Sequence, residues 1–135
     1  MEQLLLSIAL ALAKVQEDLV VLKAQQVQES KIDLINAIEE CESQGDPTAV
    51  NWEDAEITGY PSRGVFQFQP FTFLEFAKKY KVIPQDAKPS LKELQRMIET
   101  PIYSRAVAHG MIKDGLVEQH WKICYRKYQR SLALR

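Results

Sequence analysis

No glycine or proline interrupts the first 29 residues. A stretch of that length has nothing to break a helix, and its apolar residues carry helical spacing. Leu5, Ile8, Leu12, Val15, Leu19 and Leu22 alternate steps of three and four, the a/d seam of a heptad pattern held for about three heptads. Leu4, Leu6, Leu10, Val20 and Val21 widen the stripe. One continuous helix is expected over residues 3–27, with a seam that the rest of the chain does not fully cover. Such a seam predicts self-association or contact with a membrane surface. The apolar run Leu4 to Ala13 is about half of what a spanning helix needs. The residues before it, Met-Glu-Gln, are acidic where an export signal carries Lys or Arg.

The chain has 135 residues, which predicts one domain behind this helix. Its 17 Lys and Arg against 18 Asp and Glu leave a net charge of −1. That balance excludes a nucleic-acid binder that relies on bulk charge, because counterion release needs a positive excess. With 46% apolar and 26% charged residues the composition is that of a globular chain, and global disorder is not expected.

Ser30 is expected to start the second unit, giving domains 1–29 and 30–135. Ser30 and Asp33 are spaced like a capping box, and a helix should run from Lys31 to Ser43, stopped by Gly45-Asp46-Pro47. Most of the turn formers lie in residues 46–71, where Val65, Phe66 and Phe68 suit a short strand. Helices should resume at Thr72, at the capping box Ser90 to Glu93, and at Thr100-Pro101, the last of these ending near Asp114 with Gly115 as the stop. A final basic helix should cover His120 to Leu132. The fold class is therefore mainly α with little sheet, behind a long N-terminal helix.

Cys41 and Cys124 are far apart, and no CxxC or Cys/His pairing at zinc spacing occurs. Two free thiols and one disulfide are both compatible with that arrangement. His109 and His120 have no partner at ligand spacing, so no metal site and no cofactor are expected. Ser43 has no His–Asp relay and reads as a helix-end hydrogen bonder rather than a nucleophile.

Glu42 is the informative carboxylate. On the helix ending at Ser43 the apolar residues are Leu34, Ile35, Ile38 and Cys41, and at about 100° per residue Glu42 lies roughly 50° from the centre of their stripe. Glu39 falls near its edge and Glu40 points away. The last helical turn and partial burial both disfavour an anion. Glu42 is thus expected to hold its proton near neutral pH, as a general acid must. The loop behind it reads Ser62-Arg63-Gly64-Val65-Phe66-Gln67, then Pro70 and Thr72. Gln67 offers a donor and an acceptor to a sugar hydroxyl or acetamido group, and Gly64 allows close approach by a ligand. Trp52, Tyr60, Phe66, Phe68 and Phe71 supply flat apolar surface, at least two of them as core.

Glu42-Ser43 followed by Ser62-x-Gly64-x-x-Gln67-x-x-Pro70-x-Thr72 resembles the lysozyme-like lytic transglycosylase domain. The similarity is greatest to the resuscitation-promoting-factor branch, on three motifs: Cys41-Glu42-Ser43, Gly59-Tyr60 leading into Gly64-Val65-Phe66-Gln67-Phe68, and Trp121-x-x-Cys124. It covers about residues 31–125. The resemblance implies a small α-rich lysozyme-like fold that cleaves the β-1,4 bond between N-acetylmuramic acid and N-acetylglucosamine in peptidoglycan. It implies Glu42 as the single essential acid, and glycan contacts from Ser43, Asn51, Tyr60, Ser62, Gly64, Gln67, Phe68 and Thr72. It further implies a Cys41–Cys124 disulfide and an extracytoplasmic location. The Ala-Tyr-Asn-Ala-Gly-like segment of many lytic transglycosylases is absent, as in the resuscitation-promoting branch. The acidic insert Trp52 to Gly59, with Glu53, Asp54 and Glu56, has the residues for a second carboxylate, and nothing in the sequence selects one. The competing expectation is a non-catalytic module that binds cell-wall glycan in the same cleft.

Overall fold

A computed structural model describes residues 2–134; the side chains of residues 28, 29 and 32, and the expected domain ends at 1 and 135, lie outside the described residues. The chain is mainly α, with 71% of residues helical and 4% in strands. Helix α1 spans Glu2–Ser43. It passes Ser30 without a cap, because the local sequence offers a cap but no Gly or Pro to end the preceding turn. The chain divides into two compact units, one ending at Asp33 and the other starting at Leu34.

The first unit is helical, and its seam is exposed. Leu5, Leu12 and Leu19 are 67%, 60% and 51% open to solvent. No helix among the described residues is long and apolar enough to cross a membrane.

The second unit begins with the Leu34–Ser43 stretch of α1. It continues through strand β1 (Val50–Asn51), helix α2 (Glu53–Thr58), strand β2 (Ser62–Arg63) and helices α3 (Pro70–Lys79), α4 (Leu91–Ile98), α5 (Pro101–Lys113), α6 (Val117–His120) and α7 (Lys122–Ala133). The two strands pair antiparallel, Val50 with Arg63 and Asn51 with Ser62. The expected strand at Val65–Phe68 does not form. Gly64 at φ +80° and Gln67 at φ +55° fold that segment into a turn, leaving only an isolated Arg63–Phe68 bridge. The acidic insert Trp52 to Gly59 contains α2, which ends on Gly59 at φ +88°.

Helix starts follow their sequence signals. Ser90 Oγ accepts from the Glu93 N–H at 3.1 Å, and Pro70 and Pro101 occupy first-turn positions. Helix α3 thus begins slightly before the expected Thr72. The expected final helix, His120 to Leu132, starts two residues later, at Lys122, after Trp121 (φ −131°, ψ 47°) separates it from the short α6. The Trp121 indole N–H donates to the Phe66 carbonyl at 2.9 Å, so its ring plugs the core.

The core gathers Ile38 of α1, Phe66 and Phe68 of the turn, Phe73 and Phe76 of α3, Leu94 and Ile98 of α4, Val107 and Met111 of α5, and Trp121. Burying each large side chain contributes about 1.5–3 kcal/mol. Packing Ile38 inward fixes the rotation of α1, and with it the direction of Glu42 one turn on. Cys41 and Cys124 form a disulfide with Cα atoms 5.7 Å apart, joining the end of α1 to α7.

Candidate functional site

The rotation of α1 brings two acidic side chains toward the interior, where the stripe argument allowed one. Glu39 is buried, and Arg105 of α5 holds it in a two-pronged ion pair: Nη2 to Oε1 at 2.6 Å and Nε to Oε2 at 3.1 Å. Its charge is consumed in holding α1 to α5. Ser43, also buried, donates to the carbonyls of Glu39 (3.0 Å) and Val65 (2.8 Å). Those bonds tie the last turn of α1 to the Gly64–Gln67 turn and keep Ser43 off the ligand-facing surface.

Glu42 has no comparable cation. It lines a cleft of about 290 Å³ together with Asn51, Asp54, Ser62, Gln67, Phe68, Gln69, Thr72, His120 and Trp121. Burial pushes its carboxyl up from 4.5 to about 7; the negative charge of Asp54 adds to the rise, and Lys127 opposes it. At neutral pH a large fraction of Glu42 therefore carries a proton that it can donate into the cleft. His120 is shifted the other way: burial lowers its pKa, with Glu75 acting against this, so its imidazole is neutral at neutral pH.

Of the sequence candidates, Asn51, Ser62, Gln67, Phe68 and Thr72 share the cleft wall with Glu42. The donors of Gln67 are already engaged. Its Nε2 donates to the carbonyls of Ala49 (3.2 Å) and Gly64 (2.9 Å), so the group it has left for a ligand is its acceptor oxygen. Asn51 Oδ1 accepts from the Glu53 N–H at 3.1 Å, leaving its amide nitrogen as the free group. Three candidates stand outside the lining. Ser43 is internal. Gly64 is indeed a close-approach glycine, but the approaching atom is the Ile98 carbonyl oxygen of its own chain, against which a Cβ would collide. Tyr60 packs edge-on against Phe71 with centroids 5.3 Å apart, beside the cleft rather than in it. Of the aromatics, Phe66 and Phe68 are core, whereas Trp52 (66% open) and Phe71 (56% open) are surface.

The lining contains four residues that had not been singled out as ligand contacts: Asp54, Gln69, His120 and Trp121. Asp54 and Gln69 are linked through Ser62. Gln69 Nε2 donates to Ser62 Oγ at 2.8 Å, and Ser62 Oγ donates to Asp54 Oδ2 at 2.6 Å. Gln69 is itself oriented by Thr58, whose hydroxyl lies 2.9 Å from Gln69 Oε1. A chain of neutral groups thus fixes one oxygen of Asp54. Among the described residues no group of three His, Cys, Asp or Glu side chains is placed to hold a metal ion. The arrangement suits proton transfer: one carboxyl raised to about 7, a second acidic side chain fixed by hydrogen bonds, and amide and hydroxyl groups around them. Comparison of the chain with protein-family models, with curated proteins and with solved structures finds no match.

Proposed function

We propose that the chain cleaves peptidoglycan glycan strands at the β-1,4 bond between N-acetylmuramic acid and N-acetylglucosamine, with Glu42 as general acid. The observation that carries this reading is the combination at Glu42: a cleft position and a carboxyl raised to about 7 by burial. A glycosidic oxygen is a poor leaving group until protonated, and a carboxyl that keeps its proton at neutral pH supplies that proton as the bond breaks. The cleft's acceptor at Gln67 and donor at Asn51 suit hydroxyl and acetamido groups. No cofactor is called for. The Cys41–Cys124 disulfide fits an oxidising, extracytoplasmic setting, where this polymer lies.

The exposed rings of Trp52 and Phe71 favour a second reading, a glycan-binding module without catalysis. Release of soluble fragments from purified peptidoglycan separates the two. The enzyme reading expects release by the wild type and a loss of about 10²–10⁴-fold in Glu42→Gln. Binding of peptidoglycan without release by the wild type would establish the module instead.

A further inference from the structure

Asp54 is the second carboxylate of the cleft and the one acidic residue of α2 that lines it; Glu53 and Glu56, its neighbours, do not. Its placement is built rather than incidental. Ser62, buried at 4% exposure on strand β2, donates to Oδ2 at 2.6 Å. Gln69, at the start of α3, holds Ser62 in turn. Three elements therefore converge to fix a single carboxylate oxygen on a side chain that lines the same cleft as Glu42.

We propose that Asp54 is the base that takes a proton from an attacking water, which makes strand cleavage hydrolytic. This rests on the glycan-cleaving reading of Glu42. In the step, Glu42 gives its proton to the bridging oxygen, and the bond from that oxygen to the anomeric carbon breaks with its electron pair on the oxygen. A water oxygen bonds to the anomeric carbon and its proton passes to Asp54. Asp54 then releases that proton to solvent and Glu42 takes one up, so that one water is consumed per bond cut. Ser62 and Gln69 are positioning residues: they hold the base without touching the reacting atoms.

The experiment is digestion of purified peptidoglycan in ¹⁸O-water, with mass spectrometry of the released sugars. The wild type is expected to yield reducing ends carrying one ¹⁸O. Asp54→Asn, whose amide oxygen can still accept from Ser62, is expected to lose about 10²–10⁴-fold in kcat with KM little changed. Asp54→Ala, equally impaired, is expected to regain activity and label in added formate, a small carboxylate that can occupy the vacated place. Formate rescue is a response that a purely structural role would not give, and it serves if Asp54→Asn fails to fold. Unlabelled 1,6-anhydro ends from the wild type would overturn the role of Asp54 while leaving the glycan-cleaving reading intact. So would an Asp54→Asn enzyme that keeps its rate, or an Asp54→Ala enzyme that folds and ignores formate. Absence of any cleavage by the wild type would remove the reading of Glu42, and this one with it.

Discussion

Replacing Glu42 by Gln should make the protein more stable at alkaline pH and leave its stability unchanged in acid. The folded carboxyl titrates at about 7, against an ordinary value of 4.5. Below 4.5 folded and unfolded chains both hold the proton, so Glu42 contributes nothing. Between 4.5 and 7 the unfolded chain releases the proton while the folded chain retains it, and stability falls as pH rises. Above 7 the folded chain carries the whole penalty of a charge in a partly dry site. The difference, 7 − 4.5 = 2.5 pKa units, sets a ceiling of about 3.4 kcal/mol. The side chain is only partly buried, and solvent screening lowers this to about 1–2 kcal/mol. Gln keeps the shape and drops the charge. Melting temperatures of wild type and Glu42→Gln at pH 4 and pH 8 should therefore coincide in acid, with the variant about 3–8 °C higher at pH 8. An equal difference at both pH values, or a less stable variant at pH 8, would refute the argument that burial sets the proton affinity of this group. On the proposed glycan-cleaving reading, cleavage should also decline as pH rises through about 7, since only protonated Glu42 is an acid.

Three further outcomes are expected. Cys41→Ser with Cys124→Ser should cost about 4.5 kcal/mol by the chain-entropy relation for a separation of 83 residues, read from urea unfolding with and without reductant; a loss well under 1 kcal/mol would contradict it. Gly64→Ala should destabilise by at least about 2 kcal/mol, because φ is +80° and the new methyl group meets the Ile98 carbonyl; a neutral melt would show that the turn can shift. The full chain should self-associate weakly through residues 3–27, with sedimentation rising with concentration and Leu12→Glu abolishing the effect; a monomer at every concentration would reject the seam as a contact surface.

The parts of this architecture that were readable in the sequence are those set by local chemistry. Ser90 with Glu93 marks a helix start because one hydroxyl and one N–H satisfy each other within a turn. The cleft side of α1 was readable because helical geometry carries the apolar stripe past Ile38 to Glu42. What resisted reading depends on residues distant in sequence. Glu39 looked peripheral because its partner, Arg105, lies 66 positions away. Asp54 could not be chosen over Glu53 and Glu56 until the rotation of α2 was known, and Ser62 reveals it only through a hydrogen bond that crosses from strand to helix. Gly64 was read as a point of close approach by a ligand, whereas the atom that approaches it is the Ile98 carbonyl, which spacing alone could not reveal. The late start of the last helix has the same origin: Trp121 stands between α6 and α7, its indole bonded to the Phe66 carbonyl 55 positions away.

The disulfide also has a topological consequence. Every residue that lines the cleft, from Glu42 to Trp121, lies between Cys41 and Cys124. With the sulfurs joined, the whole cleft wall belongs to one covalent ring, and everything N-terminal of Cys41 or C-terminal of Cys124 is a tail attached to it. A single protease cut within the ring opens it into a linear chain without releasing any fragment. A cut outside it trims a tail and leaves the circuit closed. The first nick therefore removes no piece of the site, and two cuts inside the ring are needed before any part of the cleft can diffuse away.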